Sequence, residues 1–375
     1  MDIPLALALF LGGLATLVVG GDGMVRGAAR GAAILGVSPL VVGLTIVAFG
    51  TSAPELAVSL TSGLADAAAL AVGNVVGSNI FNIWLILGVA SMLQRLPVAS
   101  RMIRIDMPVL ALASVALAAL AWDGVLDAMD GALLCVGLVA YVAQTVWAAQ
   151  RERKARAPSE LAHAERDELE REEALSRFDL ALVFAGVALI GGATALGAFG
   201  MISAAVLVVG VTVLMAATAF AAAGKRPMLN AIAMMCAGLA VIVFAADAMV
   251  TGAVAMARAL GVSETVIGLT SVAAGTSLPE LVTTFAAARQ GEADIAVGNV
   301  VGSNIFNILC ICGVTASIVP LPVTAEVRTF DLAIAVASAL ALWPLAYWRR
   351  EVSRLAGLAM IAAFVAYMAA VLIRA

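Results

Sequence analysis

Runs of roughly twenty apolar residues succeed one another along the chain, each long enough to cross the ~30 Å hydrocarbon core of a bilayer as a helix. They fall near residues 3–25, 39–63, 69–93, 105–122, 127–149, 179–197, 201–223, 230–257, 264–288, 294–318, 330–347 and 353–373. Barrel strands would leave shorter, alternating segments. In lipid the backbone must also satisfy its own hydrogen bonds, so the spans are expected to be helices. With 63% hydrophobic and 12% charged residues, the 375-residue chain reads as an all-α polytopic membrane protein of about 12 transmembrane helices, not as a pair of soluble domains. The first run begins without a basic leader or cleavage motif and is read as a spanning helix. Cys135, Cys236, Cys310 and Cys312 all sit inside apolar runs and are read as small buried residues. A net charge of −4 argues against a nucleic-acid partner, and the partner surface is the lipid bilayer itself.

Basic residues are distributed unevenly between the connecting loops. With the N-terminus outside, eighteen of the 21 Lys and Arg fall on the inner side, leaving Arg258, Arg328 and Arg374 outside. This positive-inside bias predicts a multi-pass protein of the cell (inner) membrane with both termini outside. The hydrophilic stretch at 150–178 is read as a charged, solvated cytoplasmic loop.

The chain also repeats itself. A shift of 225 residues aligns Gly36–Glu55 with Gly261–Glu280 at fourteen of twenty positions, and Ala71–Ile83 with an identical Ala296–Ile308. Asp22 then pairs with Asp247 and Asp106 with Asp331, so the repeat covers five helices in each half. The expected organisation is a first five-helix repeat at 1–149, the loop at 150–178, an inserted helical hairpin at 179–225 and a second repeat at 226–375. Seven spans separate the starts of the halves, so the two halves enter the membrane in opposite directions. Inverted repeats of this kind build many secondary transporters, with the site near the midplane.

The repeated blocks hold the polar residues that hydrocarbon cannot accommodate unaided. GLTIVAFGTSAPELAVSL (43–60) and GLTSVAAGTSLPELVTTF (268–285) each carry a glutamate, Glu55 or Glu280, deep in an apolar span. An ionised side chain there costs at least ~2.5 kcal/mol, and no Lys, Arg or His lies at matching depth, so a bound cation or proton is the natural partner. Pro54 and Pro279 lack an N–H and crowd the preceding turn, where Gly50 and Gly275 loosen it, so each helix should break and free backbone carbonyls. Thr51 and Ser52 lie four and three residues before Glu55, on its face of the helix. Carboxylates, carbonyls and hydroxyls are the ligands that hard cations prefer. In GNVVGSNIFNI, present at 73–83 and 298–308, Asn74, Ser78 and Asn82 form one polar stripe, repeated by Asn299, Ser303 and Asn307. The pairs Gly73/Gly77 and Gly298/Gly302 permit close helix approach, so the stripe should press against a neighbour, most naturally the broken helix. Such residues also serve as interhelical hydrogen bonds. Asp22 and Asp247 are read as structural.

These motifs closely resemble those of the calcium/cation antiporter superfamily, which includes sodium/calcium exchangers. The likeness rests on GLTIVAFGTSAPE and GLTSVAAGTSLPE, each followed by GNVVGSNIFN, and spans both five-helix halves. It implies exchange of Ca²⁺ for Na⁺ by alternating access, with no cofactor. By this likeness Glu55 and Glu280 are the central Ca²⁺ ligands, completed by the carbonyls and hydroxyls of Thr51 and Thr276. Ser52, Ser78, Ser277 and Ser303, with backbone oxygens of Ala48 and Ala273, take the flanking Na⁺ positions. Sodium/calcium exchangers of the superfamily often have an aspartate where Asn82 or Asn307 stands here. Two carboxylates rather than three make the site similar to that of proton/Ca²⁺ exchangers, the alternative reading. A hydrolase using Ser52 or Ser277 would lack a His or Lys base within the spans, so the chain is not expected to be an enzyme. A channel would differ in passing one ion without the counter-ion.

Overall fold

The computed structural model describes residues 2–64, 68–155, 213, 227–260 and 275–374, and these are helical almost throughout. Helix α1 is Ile3–Leu35 and is followed by a bent pair, α2 (Pro39–Thr51) and α3 (Ala53–Leu64). Next come α4 (Leu70–Leu93), α5 (Met102–Asp123) and α6 (Ala128–Arg151). The second half supplies α7 (Pro227–Ala259) and α8 (Leu278–Gln290). It ends with α9 (Ala293–Ile318), α10 (Val327–Arg349) and α11 (Arg354–Arg374). Eight of these are long and apolar enough to span a bilayer singly, and the bent pair of α2 with α3 is long and apolar enough to be a ninth if it crosses as one broken span. The chain is therefore a multi-pass membrane protein. The inserted hairpin expected at 179–225, apart from Val213, and the charged loop beyond residue 155 lie outside the described residues, as does Ala273.

Two expectations need correction. Only Cys310 and Cys312 are buried as expected; Cys135 is half-buried and Cys236 exposed, because an apolar run in a spanning helix also has a face turned away from the protein interior. Arg26 and Arg30, assigned to a loop, belong to α1, which continues to Leu35 and buries Arg30 to 3% exposure. The segment RGAARGAAIL offers alanine-rich helix formers and contains no proline. The helix stops only at Gly36, whose φ of 66° is the left-handed conformation glycine tolerates.

The helices sort into two compact units, Met1–Pro39 with Glu152–Ala287, and Leu40–Arg151 with Ala288–Ala375. In the first unit α1 and α7 pack along their lengths. Glycines set the spacing. A Cβ added at Gly13 would lie 2.7 Å from the Ala245 carbonyl, one at Gly20 2.8 Å from Val241, and one at Gly27 2.8 Å from the Ala231 carbonyl. Positions rising along α1 meet positions falling along α7, so the two helices run antiparallel. From α7, Gly238 meets Gly20 and Met24, and Gly252 meets Ala6 and Phe10. Gly13, Gly20 and Gly27 recur every seven residues, and the 225-residue shift carries them to Gly238, Ala245 and Gly252. Close backbone approach of this kind is what small residues supply where lipid gives no hydrophobic drive.

In the second unit α9 forms the centre, its apolar stretch buried throughout. The outer helices turn apolar side chains outward, among them Leu133, Val136 and Val139 on α6 and Leu355, Leu358 and Val365 on α11. Two short antiparallel ladders tie the helix connections together: β1 (Leu96–Pro97) with β4 (Glu351–Val352), and β2 (Val125–Leu126) with β3 (Leu321–Pro322). The Val98 N–H donates to the Arg350 carbonyl at 2.8 Å, and the Val323 N–H donates to the Gly124 carbonyl at 2.8 Å. Tyr141 donates to Asp106 at 3.3 Å on one side, and Tyr367 to Asp331 at 2.8 Å on the other. Each of these contacts in one repeat has its counterpart about 225 residues away.

Candidate functional site

The helix break falls where glycine and proline place it. Helix α2 ends at Thr51, α3 begins at Ala53, and the two axes differ by 42°. Ser52 turns the chain with φ −83° and ψ 6°, and its carbonyl accepts from the Leu56 N–H at 3.1 Å. The second copy repeats this detail, with the Ser277 carbonyl accepting from the Leu281 N–H at 3.1 Å. Glu55 and Glu280 therefore each occupy the first turn of a helix, α3 and α8, where the helix dipole favours negative charge. Both are 0% exposed.

In the second unit the two halves of the broken helix find different neighbours. Helix α2 packs on α9, and α3 packs on α4. The α2–α9 approach depends on small residues: a Cβ at Gly302 would lie 2.8 Å from that of Ala48, and one at Gly298 would lie 3.3 Å from the Leu40 carbonyl. This is the close approach expected of the Gly298/Gly302 pair. Opposite Gly302, the α9 stripe meets the end of α2. The Thr51 hydroxyl lies 3.1 Å from Asn299 Oδ1, 3.3 Å from Ser303 Oγ and 3.2 Å from the Ala48 carbonyl. Ser303 also donates to the Ala48 carbonyl at 3.4 Å. Four uncharged oxygens thus converge where the helix breaks.

The α4 stripe faces the other half. Asn74 donates to Ser59 at 3.1 Å and to the Glu55 carbonyl at 3.4 Å. Ser78 is fully buried, and its hydroxyl has no hydrogen-bond partner among the described residues.

Where α4 meets α9, four asparagines lock together. Asn82 donates to Asn304 Oδ1 and Asn307 donates to Asn79 Oδ1, both at 3.0 Å. Asn79 donates to the Asn304 carbonyl at 3.3 Å, and Asn304 donates to the Asn79 carbonyl at 3.4 Å. The sequence shift maps Asn79 onto Asn304 and Asn82 onto Asn307, so each bond exchanges with its mate. Asn82 and Asn307 both sit in π-helical turns, Phe81–Ile86 and Asn307–Cys312, the wider turns that recur at functional sites. All four side chains are at most 4% exposed. The Asn82 and Asn307 Oδ1 atoms are buried and, among the described residues, accept nothing.

Of the residues singled out in the sequence, Ala48, Thr51, Ser52, Glu55, Ser78, Asn82, Ser303 and Asn307 fall in this one unit, and Thr276, Ser277 and Glu280 fall in the other. Thr51, Ala48 and Ser303 are in direct contact, joined by Asn299. Asn79 and Asn304 escaped the sequence reading because they stand off the i, i+4, i+8 stripe. Their signal was the spacing of three residues to Asn82 and Asn307.

A family model described as sodium/calcium exchanger protein matches residues 5–147 and 230–373. The inner membrane protein YrbG of Escherichia coli strain K12 is 31% identical over 367 residues, covering 97% of this chain and 96% of that one. The sodium/calcium exchanger MaX1 of Methanosarcina acetivorans is also 31% identical over 367 residues, 98% of each chain. A solved structure of the sodium-calcium exchanger NCX_Mj, soaked with 10 mM Na⁺ and 10 mM Sr²⁺, superposes with a TM-score of 0.73 at 26% identity, over 98% of this chain and 99% of its own.

Proposed function

The chain belongs to the sodium/calcium exchanger family, and from that membership we propose that it is a secondary antiporter moving Ca²⁺ against Na⁺ by alternating access. The observation that carries this reading is the pair of fully buried amide oxygens on Asn82 and Asn307, held clear of any donor among the described residues. Carbonyl oxygens in such a place suit a cation. Glu55 and Glu280 supply its charge balance, since two carboxylates neutralise one Ca²⁺ and the amides add ligation without further charge. Thr51 and Thr276 complete the Ca²⁺ position. The uncharged cluster of Ala48, Thr51 and Ser303 suits Na⁺, as do Ser52 and Ser78. Ser277 and Ala273 join them through the repeat.

The architecture in this reading is a pair of inverted five-helix repeats with an inserted hairpin, about twelve spans in all and both termini outside. Its support is the exchange of the asparagine bonds, the strand ladders and the Tyr–Asp pairs under one sequence shift, as a two-fold operation requires, together with the antiparallel α1–α7 pair. That close seam also supports the first helix of each repeat moving as one body.

Proton/Ca²⁺ exchange is the second reading, favoured by the asparagines at 82 and 307, which leave two carboxylates rather than three. Reconstituted protein separates the two. Radiolabelled Ca²⁺ uptake into proteoliposomes driven by an outward Na⁺ gradient, and absent with an outward proton gradient, is the expected result. Uptake driven only by protons would transfer Glu55 and Glu280 to proton carriage.

A further inference from the structure

We infer that Asn79 and Asn304 are positioning residues that hold the amides of Asn307 and Asn82 oxygen-first, each acting across from one repeat to the other. The inference rests on the reading of Asn82 and Asn307 as cation ligands.

An asparagine amide has nearly the same shape either way round, but its two ends differ in kind. One end accepts hydrogen bonds and can ligate a cation; the other carries two N–H donors and repels it. Rotation about the last side-chain bond exchanges them, so a ligating asparagine needs something outside the ion to set its orientation. Here the chain of constraint begins at groups that cannot flip. The backbone carbonyls of Asn304 and Asn79 only accept, and each receives the side-chain N–H of the other residue, at 3.3 and 3.4 Å. With their nitrogens so committed, Asn79 and Asn304 must turn Oδ1 outward. Those oxygens in turn accept the Asn307 and Asn82 amide nitrogens at 3.0 Å. The nitrogens of Asn82 and Asn307 are thereby occupied, and their oxygens are directed away from the box. These are the atoms that are fully buried and accept nothing among the described residues.

The box also accounts for the residue type at the two ligand positions. An aspartate at 82 or 307 has no N–H to give and would set a carboxylate oxygen against Asn304 or Asn79 Oδ1 inside a buried site. Asn79 and Asn304 are therefore matched to amides and select against carboxylates. This ties the two-carboxylate character of the site to a feature outside the ligands themselves.

The test is a set of double-mutant cycles read by equilibrium Ca²⁺ binding to the purified full chain, with monodispersity and melting temperature recorded for every variant. Loss of an orienting partner typically weakens metal affinity by about 10–100-fold, so Asn79→Ala should raise the Ca²⁺ dissociation constant by at least about tenfold. The diagnostic is crossed coupling. In an Asn307→Ala background the further loss from Asn79→Ala should shrink below about threefold, because the group it orients is gone. In an Asn82→Ala background, on the same helix as Asn79, the full loss should persist. Asn304→Ala should show the mirror pattern, coupled to Asn82 and independent of Asn307. If the alanine variants do not purify as folded protein, Asn79→Ser and Asn304→Ser carry the same expectations. Losses that add in every background, or couple equally to both ligands, would overturn the positioning role while leaving Ca²⁺ binding intact. A wild-type chain that binds no Ca²⁺ would instead overturn the ligand reading on which the role rests.

Discussion

The α1–α7 seam and the asparagine box both join elements from the two halves of the chain, and they do so by opposite means. The seam works through what is missing: glycines at 13, 20 and 27 let backbones approach until an added Cβ would meet a carbonyl or side chain under 3 Å away. The box works through what is present, four amides joined by four directed hydrogen bonds. Close backbone fit holds the two helices of the seam together as one body, whereas directed hydrogen bonds fix which way the amides of the box point. The difference leaves steric fit to hold the α1–α7 pair and hydrogen bonding to orient the buried polar oxygens of the second unit.

The largest effect that bears on this contrast comes from the carboxylates. Glu55→Gln or Glu280→Gln should abolish Ca²⁺ flux in proteoliposomes while leaving both the seam and the box folded. A fully active double variant would remove the site from this part of the molecule. Next is a paired substitution on α1. Gly13→Ala places a methyl group 2.7 Å from the Ala245 carbonyl and should cost about 1–3 kcal/mol by overpacking. Gly31→Ala meets only the Met235 sulfur, at 3.9 Å, and should gain up to about 1 kcal/mol from helix propensity. Thermal melts showing the same sign for both would break the steric account of the seam.

A smaller effect is expected from Thr51→Val, which keeps the shape but removes the hydroxyl shared with Asn299, Ser303 and Ala48. Loss of about 1 kcal/mol of hydrogen bonding corresponds to roughly a fivefold weaker Na⁺ dependence of Ca²⁺ uptake. Unchanged Na⁺ dependence would separate this cluster from sodium. The smallest effect concerns Arg350, which adopts φ 51° at the place where the other repeat has Gly124 at φ 94°. Arg350→Gly should relieve left-handed strain and raise stability by about 1 kcal/mol or less, seen as a small rise in melting temperature. A fall would mean that the arginine side chain contributes more than its backbone costs.

Much of this was legible in the sequence because membranes leave few options. Apolar length announced the spans, and the glycine–proline pair around Thr51 announced the break between α2 and α3. The letter-for-letter copies pointed to Ser303, Asn82 and Asn307, and the partly matching block to Thr51, before any contact was known. What escaped notice had weaker signals. The glycine heptad of α1 is diluted by many other glycines and alanines, and only the packing against α7 shows which of them matter. Asn79 and Asn304 lie off the polar stripe, and their role appears only when α4 and α9 meet, because each completes a partner more than two hundred residues away. The extent of α1 was misjudged because arginine was read as a loop marker where an alanine-rich helix carried it inside.

The most direct test of the central claim, that buried carboxylates and amides form a divalent-cation site, is calorimetric titration of the purified chain with Ca²⁺, repeated with Glu55→Gln. The account predicts saturable binding by the wild-type chain, competed by Na⁺, and no detectable binding by the variant. Equal Ca²⁺ affinity in both proteins would contradict it.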